Sequence, residues 1–183
     1  MKHPTETFLH LGHAGGSGIP SRCRMRDLWD EHVQYTRMAI VAFANGLPEL
    51  DATVARLQQN QDALGAFFGE RLGAAVGQKV AALLHEHIDG AVALLKAAKS
   101  GSGFEQAYGA WRQNGIEIAD ALASTGFWSQ QALREAMLKH LETTVAEADA
   151  EIKGRWAESV AAYDVAREHA LMMARVFSDG LSL

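Results

Sequence analysis

The sequence predicts an all-α protein, an up-and-down helical bundle of about five to six helices with four long ones forming the core. Three observations predict it. Apolar residues recur at the 3.6-residue helical period through most of the chain. Only Pro4, Pro20 and Pro48 interrupt 183 residues, so nearly everything after Pro48 can be helical. The breaks in the pattern are short and rich in Gly, Ser and Asn, the residues of helix ends and turns.

Residues 1–24 read as a flexible leader, because Gly-Gly-Ser-Gly and two prolines fall there without a helical period. His3, His10 and His13 are expected to be solvated in it. Met25 directly precedes the first helical pattern and is a candidate translation start. A single helical-bundle domain then fills 25–183. The first helix is expected over 25–44, with Leu28, Trp29, His32, Thr36, Ala39, Ile40 and Phe43 on one face and Asp30, Gln34 and Arg37 on the other. Asn45-Gly46-Leu47-Pro48 ends it. The second runs over 49–68, with polar Asn60-Gln61 in its middle facing partly inward. Gly69, Gly73 and Gly77 are expected to loosen the next connection.

The third helix is predicted over 74–98 and ends in Lys-Ser-Gly-Ser-Gly. The fourth covers 104–123, where Gly115 permits a close helix contact despite a cost of about 1 kcal/mol relative to Ala. Ser129 is placed to cap the fifth, 130–152. Gly154 marks a bend before the sixth, 155–179. Trp29, Trp111, Trp128 and Trp156 are spread along the chain and read as core and junction anchors.

A histidine follows an apolar pair on four of these helices: His32, His87, His140 and His169. The first three are spaced by 55 and then 53 residues, the length of one helical hairpin, so the chain reads as three loosely repeated hairpins. All four histidines are predicted to point inward. A buried imidazole must be hydrogen-bonded or ligated. Four converging rings would make a metal cage.

Dinuclear carboxylate sites are excluded by spacing. Di-iron bundles use Glu-x-x-His, but Trp29, Leu84, Met137 and Ala166 stand three before the histidines. Thr36, Ala91, Thr144 and Met173 stand four after them, where no ligand is offered. What survives is one divalent transition metal ion, Zn or Fe, held by His32, His87, His140 and His169 with Glu147. The alternative is a buried polar network with neighbouring hydroxyls, amides and carboxylates. Asn60, Gln61, Asn114, Tyr163 and Asp164 are the candidate residues for holding a small polar ligand or orienting the imidazoles.

The net charge of −5 and the lack of a basic cluster after residue 26 argue against nucleic acid and anionic membrane as partners. No run approaches a membrane span of about 18 apolar residues. Cys23 alone builds no disulfide framework. No phosphate-binding glycine loop or nucleophile elbow is present. The absence of an apolar leader predicts a cytoplasmic protein. Alanine-rich faces on the third and sixth helices leave a homo-oligomer open.

Leu28-Trp29-Asp30-Glu31-His32-Val33 with Thr36-Arg37, Arg56-Leu57 with Asn60-Gln61, Leu83-Leu84 with His87-Ile88, His140-Leu141 with Thr144 and Glu147, and Tyr163-Asp164 before Leu171-Met172 form a spaced pattern. From Met25 to Gly180 the chain resembles an uncharacterised bacterial family of small all-helical proteins. The resemblance implies a helical bundle and no established activity. Members of that family often look secreted, which sets a secreted location against the cytoplasmic one. The expected function is a binding protein with a metal ion or small polar ligand in an interior His cluster. The alternative is a non-enzymatic structural or interaction protein whose polar network fixes helix register.

Overall fold

A computed structural model describes residues 21–182 as six helices with no strand among the described residues. They are α1 (Ser21–Asn45), α2 (Leu50–Leu72), α3 (Ala74–Ser100), α4 (Phe104–Ala123), α5 (Gln130–Ile152) and α6 (Trp156–Gly180). No helix among the described residues is long and apolar enough to cross a membrane.

The bundle begins earlier than expected. Residues 21–24 belong to α1 rather than to a leader, and ion pairs tie them down: Arg22 to Asp179 at 2.7 Å and Arg24 to Glu70 at 2.6 Å. The rest of the expected leader, with His3, His10 and His13, lies outside the described residues. Ser129 caps α5 as its position suggests, its hydroxyl accepting from the Ala132 amide. Gly46 and Gly101 take the positive φ values, 67° and 73°, that end α1 and α3.

Gly69 and Gly77 act differently from the expectation. Both lie inside helices, and they let α2 and α3 press together. A Cβ on Gly77 would sit 2.5 Å from the Gly69 Cα and 2.7 Å from the Gly65 carbonyl oxygen. Gly115 does permit a close contact, with Met137 and Leu141 of α5 filling the space beside it.

Each helix packs on the one before and after it in chain order, and α6 packs on α1 to close the ring. Only the odd-numbered helices also meet across the middle: α1, α3 and α5 touch one another pairwise. The core therefore has three inner helices rather than four. This is the structural form of the loose repeat, since each hairpin contributes one inner and one outer helix.

The inner columns fall into layers. Three residues before the inner histidines stand Trp29, Leu84 and Met137, all buried in the main apolar cluster with Phe67, Phe68 and Phe177. Each such large buried side chain stabilises the fold by roughly 1.5–3 kcal/mol. Eight residues after the histidines stand Ile40, Leu95 and Ala148, which form a second, smaller cluster. The histidines lie between the two. Trp29 and Trp111 are buried anchors, but Trp156 is not: it is 56% exposed.

Candidate functional site: an imidazole-walled cavity

The midpoints of α1, α3 and α5 fall at residues 33, 87 and 141. His32, His87 and His140 are thus within one residue of the middle of their helices. Because the three inner helices meet across the centre, the three rings come together. Their centroids are 5.6 Å apart for His32 and His140, and 6.1 Å for His87 and His140. Trp29 stands edge-on to both His32, at 5.5 Å, and His140, at 5.9 Å. Trp111 stacks on His87 at 4.9 Å.

His169 does not join them. It is half buried on α6, an outer helix, and its Nε2–H donates to the Ala136 carbonyl at 2.8 Å. Glu147 also stands apart, held by Arg37. Among the described residues no group of three or more His, Cys, Asp and Glu side chains is arranged to hold a metal ion.

One of the three tautomers follows from the amide that holds it. Asn114 donates through Nδ2 to the Leu83 carbonyl at 3.0 Å, so its Oδ1 is the atom facing His87. The His87 Nδ1–H donates to that oxygen at 2.8 Å. His87 Nε2 is then a bare lone pair, and it is buried without a protein partner. Gln61 is fully buried and donates through Nε2 to the Leu57 carbonyl at 3.0 Å and to His32 Nδ1 at 3.1 Å. The Asn60 Oδ1, 3.3 Å from the same Gln61 Nε2, belongs to this cluster, and the Asn60 side chain also hydrogen-bonds the His32 ring. His140 Nδ1 is buried and also without a protein partner.

All three rings are neutral near pH 7. Burial pushes His32 down to about 3, with the neighbouring His87 adding to the effect. Burial likewise pushes His87 down to about 4 and holds His140 well below the ordinary value.

A cavity of about 50 Å³ adjoins the rings. It exists because the layer four residues after the histidines is small: Thr36, Ala91 and Thr144 all line it. The two threonine hydroxyls are engaged on their own helices, donating to the His32 and His140 carbonyls at 2.8 and 2.9 Å. The rest of the wall is aliphatic, including Val54, Leu57, Ile88 and Leu94, with Ile40, Leu95 and Ala148 as its floor. The volume is several times the 10–15 Å³ or so that one water needs.

The other expected site residues divide. Asn60 is fully buried and serves both α1 and the site: its Nδ2 donates to the Leu28 carbonyl at 3.0 Å and to Glu31 at 3.1 Å, while its side chain also hydrogen-bonds His32. Gln61 and Asn114 hold histidines, as described. Tyr163 does not orient a histidine; it packs under the Arg37 guanidinium at 5.9 Å. Asp164 is exposed.

Arg37 was expected on the outer face, but its long side chain reaches a second polar centre on α5 and α6. It pairs with Glu147 at 3.3 Å and Glu151 at 3.1 Å, and donates to Ser159 at 2.5 Å. Burial raises the Glu147 carboxyl to about 7 despite Arg37, and its Oε2 has no protein partner. The i, i+4 spacing of Glu147 and Glu151 was the readable sign of this pair.

Comparison with protein-family models, curated proteins and solved structures finds no match, in keeping with the resemblance to a family without established activity.

Proposed function

We propose that the protein binds a very small, uncharged, apolar molecule in the cavity beside the three imidazoles. The observation that carries this reading is the cavity itself, about 50 Å³ of space with an almost wholly apolar wall, left between neutral rings and small side chains.

The neutral rings favour an uncharged ligand, since no Lys, Arg, Asp or Glu lines the cavity. The same lining supplies no thiol or carboxylate nucleophile, and its threonine hydroxyls are engaged. Binding is therefore better supported than catalysis.

The test is equilibration with xenon, an atom small enough for the cavity, read by ¹³C NMR of the methyl groups that line it. The expected result is saturable shifts at Ile40, Val54 and Ile88, lost in Ala91→Leu, which fills the space. Unmoved methyl signals overturn the reading and leave a network that fixes helix register. A parallel titration with Zn²⁺ that reaches one ion per chain, and fails in His140→Ala, would replace the small molecule with a metal.

A further inference from the structure

The outer face of α6 is apolar over its first half, where a solvent-facing helix is ordinarily charged. Among the described residues six large apolar side chains stay exposed, and three of them, Trp156, Val160 and Val165, fall within ten positions of this one helix. Ala157 and Ala161 are exposed beside them. The five form two neighbouring rows at i, i+4 spacing, Trp156–Val160 and Ala157–Ala161–Val165. The face that α6 turns to the bundle is a different one, built on Ser159, Ala166, Ala170 and Met173. Further along, the outer face turns polar at Glu168, Arg175 and Asp179. A contiguous apolar patch of this kind marks an interaction surface.

The charges at its two ends differ in sign. Lys153 and Arg155 stand exposed in the turn before α6 and share one carboxylate, Asp149, at 2.6 and 2.5 Å. Arg155 also reaches Glu158 at 2.8 Å, so Lys153 is the cation with only a shared partner. Toward the other end stand Asp164 and Glu168, both exposed. Arg167, the cation beside them, is engaged by Asp30 at 2.8 Å.

We infer that this face of α6 binds a second copy of the chain, the two α6 helices running antiparallel about a two-fold axis at Val160–Ala161. The register follows from the spacing. With the axis there, Trp156 of each copy lies level with Val165 of the other, and Lys153 lies level with Glu168 of the other. The arrangement covers the apolar rows and joins the basic end to the acidic end twice, while the alanines admit a close helix approach. The patch is about 14 Å long, which is small for an interface, so the dimer forms and dissociates with concentration. No residue of α6 lines the cavity, so this inference and the proposed function stand or fall separately.

The experiment is sedimentation velocity on the full chain, from about 5 µM to about 500 µM at low salt. A reversible monomer–dimer equilibrium is expected. Val160→Glu places two like charges across the axis and should weaken the dimer at least about tenfold. Val160 is 55% exposed, so this variant is expected to fold, which its circular dichroism checks. Lys153→Glu should weaken the dimer about fivefold, and Glu168→Lys added to it should restore the parent affinity. A parent chain that stays monomeric throughout overturns the inference and leaves the face to an unlike partner. A dimer unchanged by Val160→Glu overturns the assignment to this face. A dimer that Val160→Glu weakens but the paired charge exchange does not restore overturns the antiparallel register.

Discussion

Trp111 grips His87 twice: its ring stacks on the imidazole at 4.9 Å, and its indole N–H donates to the His87 carbonyl at 2.9 Å. A single side chain on α4 thereby sets both the ring and the backbone of an inner histidine. Trp111→Phe keeps part of the stack and loses the hydrogen bond and some volume. The expected loss is about 1.5–3 kcal/mol in urea unfolding. A loss below about 0.5 kcal/mol would show that the grip contributes little.

Acid should destabilise the fold through the inner histidines. Their folded-state pKa values lie below the ordinary 6.5, with His32 at about 3 and His87 at about 4. The unfolded chain therefore binds more protons below pH 6.5. Stability from these groups is complete above that pH and falls as pH drops toward 4 and then 3. Each histidine contributes a slope of about 1.4 kcal/mol per pH unit. Glu147 acts in the opposite sense, because its pKa is raised from 4.5 to about 7 and the folded state holds that proton more tightly. The net slope between pH 4.5 and 6.5 should correspond to about two protons. Urea midpoints across that window measure it, and a flat profile would contradict neutral, buried rings.

Arg37 faces two buried carboxylates, so its removal should depend on pH. Arg37→Met leaves Glu147 and Glu151 without their cation and is expected to cost about 3 kcal/mol or more at pH 8. The cost should be smaller at pH 5.5, where Glu147 takes up a proton. Glu147→Gln should gain on the parent protein as pH rises from 4.5 to 7, since the amide never ionises. Equal effects at both pH values would mean that Glu147 does not titrate in this range.

The α2–α3 contact should not tolerate a methyl group. In Gly77→Ala the new Cβ meets backbone atoms of Gly69 and Gly65, which cannot rotate away. The expected cost is about 1–3 kcal/mol. Thermal unfolding of this variant beside Gly73→Ala separates packing from backbone strain, because Gly73 has a φ of 96° but nothing within 4 Å of its Cβ position.

Much of the helical frame is readable from residue types alone. Apolar periodicity and glycine punctuation place all six helices to within about four residues at each end, since both signals are local. The inward direction of His32, His87 and His140 is readable for the same reason. So, in retrospect, is the cavity: Thr36, Ala91 and Thr144 recur four residues after the histidines, and small residues in one layer leave space. What local patterns miss is partnership across the bundle. Arg37 sits off the apolar stripe by its angle on the wheel, yet a long side chain can turn inward when buried carboxylates wait there. Asn114 is a plain polar residue until the distant Leu83 carbonyl orients it, and Gln61 until the fold brings it to His32.

The sequence by itself determined an all-helical chain with one histidine centred on each of several amphipathic helices. Only the tertiary structure decided that three of the four histidines meet. His169 has the same local pattern as the others, but α6 lies in the outer ring, and its imidazole pairs with the Ala136 carbonyl instead. Periodicity fixes the direction in which a side chain leaves its own helix. Which helices become inner ones depends on how the ring closes, through contacts such as α1 with α6, and those contacts join residues more than a hundred positions apart.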